Sequence, residues 1–408
     1  MAKEGRDVML KLAVAAQLPL IEISTRDTIN IAEVIQHITG KKPKPWDKGP
    51  VKVEGGGLYW VTWKKDGLPI LDETLYQRLV LAEASLLVVN SGKPSPLCFA
   101  AGELVTPRSL MLKFLKAVVT DEEKAKGLLP ALGGCTIKEA VELARMAMAR
   151  DHGLTPAGLM RTRKEAFTGS RGLTQVNTEQ LFYLPPGFLQ AWLAQEKHYF
   201  LNGEDRRLRP RGLLMDGMPG TGKTEAAKWL ANGLGVPLFR IDVGAVKEKW
   251  VGASEANLQA ALGQLDNEEP CVALFDEIEK VFASGHGETD SNTTTTMLSQ
   301  LLWWLAEHRS RVLAVMTTNA RRKLPPELYR EGRIDEVMVF EGLTNPEAVE
   351  LAGKIAETFG VVAKKLTKEM RQKAIAKLFG GPEVPLQRVS HAAVTKAVYS
   401  LVKQVSAK

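Results

Sequence analysis

Residues 217–224 read Gly217-Met218-Pro219-Gly220-Thr221-Gly222-Lys223-Thr224, a complete G-x-x-x-x-G-K-[ST] loop. It sits between the apolar run Leu213-Leu214-Met215 and a stretch that starts a helix near Glu225. No other feature narrows the fold as much, because such a loop needs a buried strand to launch it and a helix to receive it. Its glycines let successive backbone N–H groups turn inward, forming an anion nest at a helix N-terminus where the dipole also favours negative charge. In that arrangement Lys223 reaches the β- and γ-phosphates of a triphosphate and Thr224 ligates Mg2+. The competing reading is a chance glycine-rich turn.

A second signal lies further along, where Cys271-Val272-Ala273-Leu274-Phe275 runs into Asp276-Glu277. Carboxylates at the end of a buried strand are unfavourable unless a metal or polar partner meets them. Asp276 is placed to hold the water shell of Mg2+, and Glu277 to polarise a water attacking the γ-phosphate. A solvated acidic turn is the alternative, and it suits Glu279. Third, Val312-Leu313-Ala314-Val315-Met316 ends in Thr317-Thr318-Asn319. If this strand lies beside that of Asp276, Asn319 orients the attacking water; read alone, it is better explained as an ordinary strand-to-turn Asn. Fourth, Arg330 and Arg333 flank Gly332. Guanidinium groups from a neighbouring subunit stabilise charge on a transferring phosphoryl group, whereas spacing alone favours salt bridges with Glu327, Glu331 or Asp335.

At 408 residues the chain has room for two or three domains. No apolar run approaches the roughly 20 residues of a membrane span, so no membrane association is expected. Met1 to Leu20 carries Ala13-Val14-Ala15, but Arg6 and Lys11 interrupt any signal-peptide core, which reads as cytoplasmic sequence. Cys98, Cys135 and Cys271 stand singly, without metal-ligand spacing, and fit a reducing compartment. The net charge of +7 is spread along both halves rather than gathered into a patch, weak support for a nucleic-acid groove.

The chain divides into an N-terminal α/β domain (residues 1–135), a helical subdomain and connector (136–185), an α/β module around the phosphate loop (186–343) and a helical tail (344–408). In the first part, 18–24, 58–63 and 85–89 are expected strands; 28–38, with Asp27 as N-cap, and 110–119 are expected helices. Residues 136–166 read as two helices separated by Gly153 and Pro156. Leu213 to Asp216, Leu238 to Asp242, Cys271 to Phe275 and Val312 to Thr317 fit buried parallel strands. Thr293 to Thr296 is expected to form the first turn of the helix carrying Leu298, Leu301 and Leu302. Trp303 and Trp304 are expected to face the core or a subunit contact.

In order and spacing these motifs resemble the AAA ATPases, the branch of the AAA+ superfamily that includes protein unfoldases and remodellers. The resemblance covers about residues 205–400. It implies a P-loop AAA+ module, a parallel sheet flanked by helices, with a C-terminal helical lid. Gly217 to Thr224 would bind ATP, Asp276 would serve the Mg2+ site, Glu277 would be the catalytic base and Asn319 the first sensor. Arg330 and Arg333 would reach a neighbour's γ-phosphate, implying a homo-oligomeric ring, usually a hexamer. Lys249-Trp250-Val251-Gly252 resembles the aromatic pore loop of the same branch and points to a protein substrate; a glycine-hinged flat aromatic can grip side chains of any sequence. Otherwise Trp250 is a buried or surface aromatic. Gly285-His286-Gly287 fits a second pore loop, or a plain loop. Met218 and Glu331 stand where the family often has proline, and the second sensor is left open between Gln387 and Arg388. The first half has no second phosphate loop, yet its layout resembles a degenerate ATPase-like module.

The leading expectation is therefore an ATP-hydrolysing protein remodeller. A helicase or clamp loader, or a nucleotide-switched scaffold, are the alternatives from other classes.

Overall fold

Short apolar runs separated by helix-length segments build two parallel sheets, one in each half of the chain. The computed structural model describes residues 2–46, 53–62, 70–92, 95–166, 172–178, 182–203, 205–242, 253–282, 288–330, 332–360, 366–379 and 388–406. By its internal contacts the chain divides into two compact units, Met1–Leu159 with Glu204–Arg206, and Met160–Gly203 with Arg207–Lys408.

The first unit holds strands β1 (Leu20–Thr25), β2 (Lys44–Pro45), β3 (Leu58–Thr62), β4 (Ser85–Val89) and β5 (Phe99–Leu104). They lie in the order β2-β3-β4-β1-β5, all parallel. Side chains alternate across a strand, so Ile21, Ile23, Leu87 and Val89 pack on one face with helices Ala2–Ala15 and Ile31–Thr39. Leu20, Tyr59 and Leu86 pack on the other with Leu75 and Leu79 of helix Glu73–Leu81. The expected helices in 136–166 form as Ile137–Asp151 and Pro156–Ala166. Asp27 is not the cap of the helix after β1; that position falls to Asn30.

The second unit holds β6 (Leu173–Val176), β7 (Gly212–Gly217), β8 (Leu238–Ile241), β9 (Cys271–Phe275), β10 (Val312–Thr318) and β11 (Glu336–Phe340). Their order is β11-β7-β10-β9-β8-β6, parallel except for β6. Residues 173–176, expected within a connector, instead pair antiparallel with β8. Every residue of β9 and β10 is buried, as expected for strands covered on both faces. Leu213, Met215, Val272, Leu274, Leu313 and Val315 meet helices Gly187–Asn202 and Lys223–Leu234 on one side. Leu214, Ala273, Phe275, Ala314 and Met316 meet helices Ala253–Asn267 and Glu288–Glu307 on the other. The threonine tract lies inside helix Glu288–Glu307 rather than at its first turn. Of the tryptophan pair, Trp304 is buried and Trp303 is 69% exposed.

Helices Asn345–Glu357, Lys368–Ala376 and His391–Ser406 share an apolar core of their own. The capping box between Thr344 and Glu347 starts the first of them, with Pro346 in its first turn. The second unit thus has the expected parallel sheet flanked by helices, followed by a C-terminal helical region.

With β1 and β7 each called one and β5 and β11 each called five, β7, β8, β9, β10 and β11 follow the same 2-3-4-1-5 order as β1 to β5. Strand β6 is an addition at the edge.

Candidate nucleotide site

The site forms where β7, β9 and β10 end on the same edge of the sheet. β10 lies between the other two, pairing Thr317 with Met215 and Met316 with Phe275. The condition on which the role of Asn319 rested is therefore met, since its strand is the neighbour of the Asp276 strand.

Residues 218–222 connect β7 to helix Lys223–Leu234. At Gly217 a Cβ would run into the carbonyl oxygen of Phe340 on β11. At Gly222, which caps the helix with φ 94°, a Cβ would crowd Tyr183 and His391. Both positions require the absence of a side chain.

Lys223 is the first residue of that helix, so its chain curls back over the loop. Its Nζ donates to Gly217 O at 2.5 Å, Met218 O at 2.9 Å and Asn319 Oδ1 at 2.9 Å. Burial lowers its pKa, an effect opposed by the carboxylates of Glu279, Asp216, Asp276 and Glu277. Asn319 also donates its Nδ2 to Glu277 Oε1 at 3.3 Å, and its backbone N–H to Glu279 Oε1 at 3.1 Å. Glu279, expected on a solvated turn, is instead buried beside this network.

Asp276 Oδ1 accepts from Thr224 Oγ1 at 3.1 Å and from Thr317 Oγ1 at 2.7 Å. Thr317 in turn accepts the backbone N–H of Glu277 at 2.8 Å, fixing both acids to β10. Glu277 adopts φ 52°, a left-handed value uncommon outside glycine, of the kind that clusters at functional sites. Its other carboxylate oxygen accepts a hydrogen bond from Lys280. The hydrogen bond from Lys280, aided by Asn319 and Lys223, holds the Glu277 carboxyl below its usual range against partial desolvation.

These groups line a cavity of about 1080 Å³. Its far wall is helix His391–Ser406, which contributes His391, Thr395, Lys396, Tyr399 and Lys403. His391 stacks on Tyr183 with centroids 5.3 Å apart, and burial pushes its pKa down. The sequence motifs did not disclose these residues of helix His391–Ser406, nor Thr317 and Lys280 as partners of the acids. The recurrence of residues 391, 395, 399 and 403 at helical spacing was the available signal.

Thr224 and Asp276 present adjoining hard oxygen donors, a set that suits Mg2+. The anion nest beside a half-buried lysine suits a polyphosphate.

Arg330 and Arg333 do not line this cavity. Arg333 Nη1 donates to Glu327 O at 2.6 Å, a carbonyl rather than the anticipated carboxylate. Arg388 is turned onto Glu341 and Gly342 O and does not line this cavity. Gln387, the segment Lys249-Trp250-Val251-Gly252 and Gly285-His286-Gly287 lie outside the described residues.

Residues 213–341 match the family described as ATPase family associated with various cellular activities (AAA). The chain is 39% identical over 146 residues to the uncharacterized AAA domain-containing protein ycf46 of Guillardia theta, covering 36% of this chain and 29% of that protein. It is 36% identical over 128 residues to the cell division cycle protein 48 homolog of Archaeoglobus fulgidus, covering 31% and 18%. It is 34% identical over 146 residues to the ATP-dependent zinc metalloprotease FtsH 3 of Sorangium cellulosum, covering 33% and 24%. The matched part thus spans less than a third of the length of each relative.

Proposed function

Residues 213–341 are an AAA domain, and we propose that this chain binds and hydrolyses ATP to remodel protein substrates. One observation carries the ATP reading: Lys223, Asn319 and Glu277 form a continuous hydrogen-bonded line beside the Thr224–Asp276 pair, at the strand edge where the phosphate loop ends.

In this reading the backbone of residues 217–224 cradles the phosphates, and Lys223 leaves the carbonyls of Gly217 and Met218 to pair with them. Thr224 and Asp276 would hold Mg2+, which neutralises phosphate charge when bound. Glu277 accepts a proton from water as the water oxygen bonds to the γ-phosphorus and the bond to the ADP oxygen breaks. Asn319 orients that water through its amide. Because Glu277 is tied to Lys280 and Asn319 here, its carboxylate must be freed before it can take the proton.

Arg330 and Arg333 lie away from this cavity, which is compatible with their serving the site of another copy, as in a ring, usually hexameric. Lys249-Trp250-Val251-Gly252 would grip the polypeptide. The relative named as an ATP-dependent zinc metalloprotease supports this over a helicase or clamp loader and over a nucleotide-switched scaffold. No helix among the described residues is long and apolar enough to cross a membrane, and a cytoplasmic location belongs to this reading.

Titrating ATP turnover with an unfolded protein, and separately with single- and double-stranded DNA, tests it. Stimulation by the polypeptide alone is expected, and stimulation by DNA alone rejects the remodelling assignment. Subunits carrying Arg333→Ala mixed with subunits carrying Lys223→Ala should recover activity; absence of recovery at every ratio contradicts shared sites.

A further inference from the structure

The first unit repeats the strand order of the second, and the correspondence extends to the loop after its first strand. Residues 26–30 join β1 to helix Ile31–Thr39, just as residues 218–222 join β7 to helix Lys223–Leu234. The two loops are equal in length and opposite in chemistry. Arg26-Asp27-Thr28-Ile29-Asn30 has no glycine, and Ile31 stands at the helix position that Lys223 takes in the other unit.

Asp27 is 3% exposed. Its Oδ2 accepts from Thr106 Oγ1 and from the backbone N–H of Ile137, each at 2.9 Å. Its Oδ1 accepts from Asn30 Nδ2 at 3.0 Å. Ile137 is the first residue of helix Ile137–Asp151, whose early N–H groups have no partner within the helix. A carboxylate there is stabilised by those donors and by the helix dipole. Arg26 adds a bond to Glu139 of the same helix at 3.1 Å and one to Gly134 O at 3.3 Å.

A second correspondence lies one strand over. Asn90 follows β4 as Asn319 follows β10. Asn319 faces Lys223 and Glu277, but Asn90 is closed onto the backbone: it accepts from Thr25 N at 2.8 Å and donates to Thr25 O at 2.9 Å.

We infer that Asp27 is a built-in anion standing where the second unit receives phosphate, and that it fastens helix Ile137–Asp151 to the sheet without any nucleotide. The first unit is thereby a fixed, nucleotide-independent counterpart of the second. The comparison rests on the nucleotide reading of the second unit, whereas the fastening role of Asp27 stands by itself.

Hydrogen exchange read by mass spectrometry on the nucleotide-free chain tests it. In the wild type, ADP should slow exchange around residues 217–234 and leave the start of helix Ile137–Asp151 unchanged. Asp27→Ala should speed exchange at that helix start by at least about tenfold, as expected when a buried charge-assisted bond is lost. Formate, a small carboxylate, should restore part of the protection, and chloride at equal concentration should not. Unchanged exchange in Asp27→Ala, or equal effects of formate and chloride, overturns the inference. Asp27→Asn, which keeps the shape, serves if the alanine variant does not fold; full protection there also counts against the charge. A Lys223→Ala chain that still binds one ADP through the first unit contradicts nucleotide independence. Failure of the wild type to bind ADP instead sinks the reading of the second unit, while the exchange of Asp27→Ala still decides the first.

Discussion

The ammonium of Lys223 lies 2.9 Å from Oδ1 of Asn319, ninety-six positions later in the chain and just past the end of β10. One amide therefore joins Lys223, proposed to bind phosphate, to Glu277, proposed as the catalytic base, since the other end of Asn319 donates to Glu277. Any ligand that draws Lys223 forward also frees the amide oxygen of Asn319, the group proposed to orient water.

Replacing Lys223 and replacing Asn319 should have different effects. Lys223→Ala removes a charged donor worth about 1.5–3 kcal/mol, so affinity for a fluorescent ADP should fall at least about tenfold. Asn319→Ala should leave that affinity within about threefold and reduce turnover by about a hundredfold, measured by phosphate release. Equal loss of affinity in both variants would contradict the separation of roles.

Lys280 is 71% exposed and its pair with Glu277 is an i,i+3 surface contact, of a kind worth about 0–1 kcal/mol. Lys280→Ala should raise turnover by no more than about fivefold, with KM for ATP unchanged, because that is the largest release such a pair allows. The lysine lowers the Glu277 pKa, so its removal raises it. The acid limb of the pH–rate profile should move to higher pH in Lys280→Ala and return in Lys280→Arg. An unmoved limb would show that the contact does not act on the base.

His391 packs against Tyr183 and carries a pKa lowered by burial from the ordinary 6.5. Folding therefore favours its neutral form. The associated stability is fully present above the ordinary value and is lost as pH falls below it, because the unfolded chain then binds a proton that the folded chain resists. Thermal unfolding should show the second unit weaker at pH 5.5 than at 7.5, and His391→Gln should flatten that slope. An equal slope in the variant would assign it to other groups.

Trp304 is buried and its Nε1 lies 3.2 Å from both carboxylate oxygens of Asp266, whereas Trp303 is exposed. Trp304→Ala should cost about 3–5 kcal/mol in denaturant unfolding, and Trp303→Ala within about 0.5 kcal/mol. Similar losses would contradict this division.

The phosphate loop, the acids and Asn319 were legible because their chemistry restricts residue type and strand ends restrict their place. Asp276 and Thr224 could be paired before any contact was visible. Thr317 could not, since a threonine after an apolar run also reads as ordinary strand. β5 and β11 escaped notice because their residues alternate between buried and exposed and include glutamates, as edge strands do. β6 was hidden among turn residues, its partner β8 lying more than sixty positions away. The equal loops after β1 and β7 could be compared only once the sheet order aligned them. Asp27 read locally as a helix cap, whereas its main partners, Thr106 and Ile137, are far along the chain. The tryptophans resisted assignment because helical neighbours point about 100° apart and only packing says which faces inward.

The central claim is that Glu277 serves as the base at an ATP site built on Lys223. Phosphate release and nucleotide binding measured together on the Glu277→Gln chain test it most directly. ATP affinity within about twofold of the parent, with hydrolysis reduced at least about a hundredfold, is the predicted result. Hydrolysis at the parental rate would contradict it.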